Sequence, residues 1–228
     1  MESSLLKLLL GVQRNVLLAP YTTFRIGGRA KYFINARTIV SAIRAINAAR
    51  SLHIPFFILG GGSNLLVSDK GFLGLFIHMQ TKKLKIEENK LFCEAGVSMA
   101  KVVTETGKKG FSGFEWAGGL PGSVGGAIRG NAGAFGGETK DNVLWVIALD
   151  AKGQEKLFLK KECKFSYRSS IFKEKGFIIL SVAFIVKKGD KLAIQASSAS
   201  HIAYREEKHP LEYPNAGSVF KNCDLKKF

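Results

Sequence analysis

The stretch Gly118-Gly119-Leu120-Pro121-Gly122-Ser123-Val124-Gly125-Gly126-Ala127, followed by Asn131-Ala132-Gly133-Ala134-Phe135-Gly136, decides how the rest of this chain is read. So many glycines leave main-chain N–H groups uncovered, which lets a diphosphate or a flat ring system lie directly on backbone. Pro121 is suited to the first position of a short helix, because its missing N–H is not needed there and its φ is already helical. The free N–H groups of that first turn would then face an anion. Pro121, Gly122, Ser123, Gly125, Gly126, Asn131 and Gly133 are the candidate cofactor contacts of this region.

A second glycine run lies upstream, Gly60-Gly61-Gly62-Ser63-Asn64. Its backbone can approach phosphate oxygens, with Ser63 and Asn64 adding side-chain donors. Alone, the run is equally a tight strand-to-strand turn. Its spacing excludes the G-x-G-x-x-G that opens a helix in dinucleotide folds, and it lacks the Gly-Lys-Ser/Thr of a P-loop. Two such loops in one chain point to a large phosphate-bearing cofactor.

Around these loops the pattern alternates between helix and strand. Residues 35–52 carry Ile39, Ala42, Ile43, Ile46 and Ala49 at helical spacing behind Thr38 as N-cap. Residues 55–59 are a short apolar strand, and Leu65-Leu66-Val67 is expected to resume as the next strand before the turn Ser68-Asp69-Lys70-Gly71. A helix is expected from Ser98, with Met99, Val102 and Val103 inward, fading over residues 107–110. Residues 143–149, 155–159 and 177–186 read as strands, with a turn at Asp150-Ala151-Lys152-Gly153. The polar segment 190–198 is expected to be a joint to a new unit. The fold class is therefore α+β.

The charge is strongly positive: 34 Lys plus Arg against 18 Asp plus Glu leave a formal +16. Such a field draws in anions. The basic residues are scattered in short pairs such as Lys82-Lys83, Lys108-Lys109 and Lys187-Lys188, which favours a nucleotide cofactor over nucleic acid. Cys93, Cys163 and Cys223 lie far apart, without the spacing of a disulfide framework or a zinc site, as fits a reducing cytoplasm. His53, His78, His201 and His209 show no metal-ligand spacing, so no metal is expected. The run at residues 5–10 is interrupted by Lys7, too short for a membrane span, and reads as the apolar face of a short leading helix.

Together with Thr22-Thr23-Phe24-Arg25-Ile26-Gly27-Gly28, the two glycine loops resemble the flavin half of the UDP-N-acetylenolpyruvoylglucosamine reductases, the MurB family. Order and spacing agree over residues 15–222. The resemblance implies an α+β FAD-binding region of the vanillyl-alcohol oxidase and p-cresol methylhydroxylase type over residues 1–190, in subdomains of about 1–80 and 81–190. Residues 191–228 would begin the family's substrate domain. Some members of that wider fold class attach FAD through a histidine near the first glycine loop. Here that loop is Gly-Gly-Gly-Ser-Asn, so FAD is expected to be non-covalent.

Two further segments carry the resemblance into chemistry. Phe165-Ser166-Tyr167-Arg168-Ser169-Ser170 is similar to the family's Tyr-Arg-x-Ser segment, whose arginine sits beside the enolpyruvyl group. A guanidinium suits that place because it stays charged and grips a carboxylate through two parallel N–H bonds. Read by itself, Arg168 is better taken as a strand-end residue making a weak surface ion pair. Arg205-Glu206-Glu207-Lys208-His209-Pro210 and Asn215-Ala216-Gly217-Ser218-Val219-Phe220-Lys221-Asn222 resemble the Arg-x-x-Lys-x-Pro and Gly-Ser-x-Phe-Lys-Asn motifs. The resemblance implies Ser218 as proton donor and Tyr167, Lys208, Lys221 and Asn222 as contacts to substrate or nucleotide. Alone, a Gly-Ser pair is better taken as a cap or turn hydroxyl. The implied reaction passes hydride from NADPH by way of FAD to UDP-N-acetylglucosamine enolpyruvate.

The sequence departs from the family at its end. Cys223 stands where the family usually has proline, and the family continues past Phe228 to a catalytic glutamate. A truncated, frameshifted or fragmentary chain with impaired turnover is therefore expected, with Phe220 and Phe228 unprotected. The competing readings are a protein that holds FAD without catalysis, another flavin oxidoreductase of the same fold, and a basic nucleic-acid binder.

Overall fold

The computed structural model describes Leu5 and residues 8–222. In chain order its first half comprises β1 (Gln13–Leu17), β2 (Arg29–Ala36), α1 (Ile39–Ser51), β3 (Phe56–Leu59), β4 (Phe72–Met79), β5 (Leu84–Glu87), β6 (Lys90–Glu94), α2 (Met99–Lys108) and β7 (Phe111–Ser112). There follow α3 (Val124–Gly130), β8 (Gly133–Ala134), β9 (Gly137–Glu138), β10 (Val143–Leu149), β11 (Glu155–Leu159), α4 (Ile171–Glu174), β12 (Ile178–Ile185), β13 (Lys187–Lys188) and α5 (Lys191–Lys208).

The first sheet has the order β1-β2-β4-β3, with β2, β4 and β3 parallel and β1 antiparallel at the edge. Helix α1 forms where the spacing predicts it. The Thr38 hydroxyl accepts from the Ser41 N–H, and Ser41 reciprocates at the Thr38 N–H, closing a capping box. Its inward Ala42, Ala45, Ile46 and Ala49 share a core with Tyr32, Ile34, Ala36, Leu75, Ile77 and Met79. A smaller core of Leu18, Ala30, Phe33, Leu59, Val67 and Phe76 lies apart from it. Thr38→Ala removes an exposed cap and is expected to cost about 1 kcal/mol, read as a lower urea midpoint without loss of fold.

Leu65-Leu66-Val67 is not a strand. Because β3 and β4 are parallel neighbours, the chain leaving Leu59 must travel back along the sheet before it can pair again. Residues 60–71 make that return as loop, with Val67 buried in the smaller core and Leu66 68% exposed. The next strand is β4, which sequence reading passed over because Gly74 interrupts it. That glycine is required: a Cβ there would collide with the Pro55 carbonyl.

The second sheet is antiparallel, in the order β11-β10-β12-β6-β5. Its strands β10, β11 and β12 match the predicted runs within a residue or so. Helix α2 starts at Ser98, whose hydroxyl accepts from the Lys101 N–H, and buries Met99 and Val102. Cys93 and Cys163 are buried free thiols, and burial pushes both up to about 12, so they act as core residues.

Residues 190–198 form the cap and first turns of a helix. Asp190 caps α5 by accepting from the Ala193 N–H, and the 18-residue helix packs along the 3-10 turn Glu115–Ala117 and against α2. Its inward positions are Ile194, Ser198, His201 and Arg205. Their spacing is helical but only one is apolar, so no hydrophobic periodicity announces the helix. Of the leading segment, Leu5 and Leu9 are buried and joined by a helical Leu9 N–H to Leu5 carbonyl bond. Residues 1–4, 6, 7 and 223–228, including Cys223 and Phe228, lie outside the described residues. No described helix is long and apolar enough to cross a membrane.

Candidate functional site

The fold brings the two glycine loops against each other. A Cβ on Gly61 would sit 2.7 Å from Gly122 Cα, and one on Gly122 would sit 2.8 Å from Ser63 Oγ. Gly60 faces the Ser123 hydroxyl, and Gly62, at φ +65°, lies on the Tyr21 carbonyl. The Thr23 N–H donates to the Gly62 carbonyl at 3.2 Å, tying the Thr22-Thr23 segment to the same place. Much of the glycine density therefore serves loop-on-loop contact, in which backbone passes backbone without room for a side chain.

Pro121 does not begin the helix. The cap of α3 is Ser123, and Gly122 at φ +103° separates the proline from it in a conformation no helix contains. Nor are the first-turn N–H groups of α3 open to an anion. Val124 donates to the Val97 carbonyl and Gly125 to the Ala95 carbonyl, each at 2.8 Å, and Gly126 donates to Ser123 Oγ at 3.4 Å. The helix start is sewn to the end of β6 and the segment after it, so any ligand must be held by other groups.

Two features remain without an internal reason. Gly126 is exposed, and a Cβ there would meet only Ser123 Oγ at 3.6 Å. A glycine inside a helix costs about 1 kcal/mol relative to alanine, so its retention fits a group lying against the backbone. The Thr23 Oγ1 atom is buried yet has no hydrogen-bond partner among the described residues. An orphaned hydroxyl beside the first glycine loop and a bare helix backbone beside the second suit a ligand with hydrogen-bonding groups and a flat face.

Next to the loops lies the hairpin β8–β9, packed flat on Trp116, whose indole leaves no space for a Cβ on Gly137. Tyr167 and Arg168 form the tip of a tight turn closed by Ser166 and Ser169, which exchange backbone bonds of 3.1 and 3.2 Å. Arg168 has φ +56°, a strained position for a residue with a side chain. Its guanidinium donates to the Gly133 carbonyl at 3.0 Å and lies 5.3 Å from the Tyr167 ring centre. Asn131, fully buried at the end of α3, donates to Glu138 Oε2 and to the Ser166 carbonyl and accepts from the Lys140 N–H. The Asn131 side chain is thus committed to holding the hairpin and the turn together.

Linear reading missed Glu138 and Lys140, and used Thr23 only as part of the motif that carries the family resemblance. The Lys140 ammonium bonded to Glu138 holds that carboxyl below the usual range against partial burial, with Asn131 and the Arg168 charge adding to the effect. Phe135 was also missed as a packing residue: at the hairpin tip with φ +49°, it stacks on His201 at 4.1 Å and meets Tyr204 edge-on. Arg205 lies over the same ring and donates to the Gly118 carbonyl at 2.9 Å, so α5 clasps both the hairpin and the glycine stretch. No local pattern could have paired residues 135 and 201, which meet only through the fold.

The last described segment reaches the same turn, where the Asn222 N–H donates to the Tyr167 hydroxyl at 3.2 Å. Tyr167, Arg168 and Asn222 are thereby brought together. Ser218 and Lys221 are exposed and form no hydrogen bond or ion pair among the described residues. Lys208 ends α5, exposed and paired with Glu207. Phe220 is 88% exposed. The described residues contain no cluster of His, Cys, Asp or Glu able to hold a metal ion.

Residues 30–156 match the FAD binding domain family. A UDP-N-acetylenolpyruvoylglucosamine reductase from Lactobacillus delbrueckii subsp. bulgaricus is 39% identical over 213 residues, spanning 93% of this chain and 72% of the relative. The chain belongs to the UDP-N-acetylenolpyruvoylglucosamine reductase family. The Carboxydothermus hydrogenoformans member is 41% identical over 215 residues, covering 92% of this chain and 70% of its own length. The crystal structure of the Thermus caldophilus reductase (MurB) superposes with a TM-score of 0.79 at 31% identity, over 93% of this chain and 75% of that one. The VAO-type flavoprotein MtVAO615 of Myceliophthora thermophila, at 20% identity and TM-score 0.57 over 70% of this chain and 32% of its own, shares the fold. The reductase family's cofactor is FAD, and the free Thr23 hydroxyl and the open face at Gly126 are the features of this site that fit it.

Proposed function

We propose that this protein reduces UDP-N-acetylglucosamine enolpyruvate to UDP-N-acetylmuramate with NADPH, as a cytoplasmic step of peptidoglycan synthesis. The observation that carries the reading is convergence. The Arg168 turn is bonded to the glycine-rich hairpin through the Gly133 carbonyl and to the last described segment through the Tyr167 hydroxyl. These two bonds support assigning Arg168 to the substrate carboxylate, because they join its turn both to the glycine-rich hairpin and to the segment that carries Ser218.

FAD, when held here, would supply the hydride chemistry that links NADPH to the enolpyruvyl double bond. The chain's own residues bind, orient and supply a proton. Residues 60–64 and Pro121, Gly122, Ser123, Gly125 and Gly126 hold the cofactor, with Asn131 and Gly133 shaping the hairpin beside it. Arg168 grips the substrate carboxylate and stabilises charge developing toward it. Tyr167, Lys208, Lys221 and Asn222 contact substrate or nucleotide, and the basic surface attracts both phosphorylated reactants. Ser218 delivers the proton at C2, and Lys221 is near enough in sequence to assist.

Purified protein is expected to be yellow and to release intact FAD on heat or acid. NADPH oxidation is expected to depend on the enolpyruvyl sugar nucleotide. A colourless protein that fails to bind added FAD would defeat the reading. The exposed Ser218 favours, as a second reading, a protein that binds FAD without turnover; NADPH would then bleach the flavin and substrate would not restore its colour.

A further inference from the structure

The carboxylate of Glu138 has no part in the reading above, yet it lies where the hairpin and the arginine turn meet. Gly133 and Glu138 are cross-strand partners, and a Cβ on Gly133 would lie 2.8 Å from Glu138 Cγ and 3.5 Å from Arg168 Nη1. The missing side chain of Gly133 is thus the space over which Glu138 and Arg168 converge. The link runs through Asn131, whose amide nitrogen donates to Glu138 Oε2 at 3.1 Å and to the Ser166 carbonyl at 3.0 Å. Ser166 closes the turn that carries Arg168.

We propose that Glu138 is a positioning residue for Arg168, holding the arginine turn in register with the flavin hairpin through Asn131. For the ligand that Arg168 then receives, this rests on the function proposed above. The hydrogen bond outweighs the charge as the working part. The Glu138–Lys140 pair is partly open to solvent, with side chains 26% and 41% exposed, and such pairs contribute little. Asn131 is fully buried, so loss of its acceptor leaves a buried donor without a partner and frees the amide to swing away from Ser166. Arg168, already in a left-handed backbone conformation, then loses the support that keeps it there.

Glutamine at 138 keeps an acceptor for Asn131 and discards the charge, whereas alanine discards both. In FAD-loaded protein, Glu138→Ala is expected to speed amide exchange at Ser166 and Ser169 about tenfold, with Glu138→Gln close to the parent. Titration with the enolpyruvyl sugar nucleotide, followed by the flavin spectrum, is expected to show about tenfold weaker binding for Glu138→Ala and about parental binding for Glu138→Gln. Binding of the methyl ester of the same compound, which Arg168 cannot grip as a carboxylate, is expected to be unmoved by either variant, a discrimination that general loosening does not produce. Parental exchange and binding in Glu138→Ala overturn the proposal. Equal losses in both variants also overturn it, because they assign the effect to charge. If the parent protein ignores the sugar nucleotide, the proposed function fails, and the exchange comparison still decides the positioning role.

Discussion

Gly126→Val is expected to weaken FAD binding by about tenfold to a hundredfold while the protein stays folded, since inserting methyl groups into a fitted contact costs roughly 1–3 kcal/mol. The fold has no objection to a side chain there. Gly126 has no positive φ, it lies within α3, and a Cβ would meet only Ser123 Oγ at 3.6 Å. Valine is no worse than glycine inside a helix, so the change should not lower the melting temperature of the apo-protein. Gly61→Val is the control for the opposite cause. A Cβ at Gly61 falls 2.7 Å from Gly122 Cα, so that variant should drive the loops apart and lose stability as well as flavin. Flavin absorbance after gel filtration, read with thermal unfolding of the apo-proteins, separates the two. Parental FAD affinity in Gly126→Val would place the cofactor elsewhere.

Arg168→Ala is expected to slow hydride transfer from reduced flavin to the enolpyruvyl substrate by about a hundredfold to a thousandfold, the scale seen when one charge-stabilising donor is removed. Reduction of the flavin by NADPH should stay near the parental rate, because the hydrogen bond of the Arg168 guanidinium to the flavin hairpin goes to a backbone carbonyl, that of Gly133, which the substitution leaves in place. Alanine pays the same left-handed backbone strain as arginine, so the variant isolates the guanidinium rather than the turn. Arg168→Lys keeps the charge but not the planar fork and should recover only part of the loss. Rapid-mixing measurement of the two half-reactions tests this directly. Equal slowing of both half-reactions would return Arg168 to a structural role.

What was legible in the sequence followed from local chemistry. Thr38 and Ser98 announce α1 and α2 because a hydroxyl before an amphipathic run satisfies the first N–H groups of a helix, and both do so here. The strands β10, β11 and β12 were legible because β-branched and aromatic residues crowd into short runs between turn residues. The glycine loops marked the cofactor region because only glycine permits such backbone approach. Which glycines face each other and which faces a ligand could not be read along the chain. Gly61 and Gly126 look alike in sequence, and the structure alone shows that Gly122 fills the space beside the first while the second stands open.

The sequence by itself determined the family, the FAD-binding α+β fold and the motifs from which the site is built, since these depend on residue type and short-range spacing. Tertiary structure decided the rest. It turned the supposed strand at Leu65-Leu66-Val67 into a return loop, because parallel pairing of β3 and β4 demands that the chain go back along the sheet. It made a helix of the polar segment after Asp190, because the turn at Glu115–Ala117 offers a carbonyl, that of Glu115, which accepts from His201 on the inward face of the helix. It closed the first turn of α3 to anions by supplying the carbonyls of Ala95 and Val97. It also set Glu138 and Asn131 beside Arg168, separated along the chain by 30 and 37 residues, where a buried amide between a carboxylate and a carbonyl joins segments that no local preference could bring together.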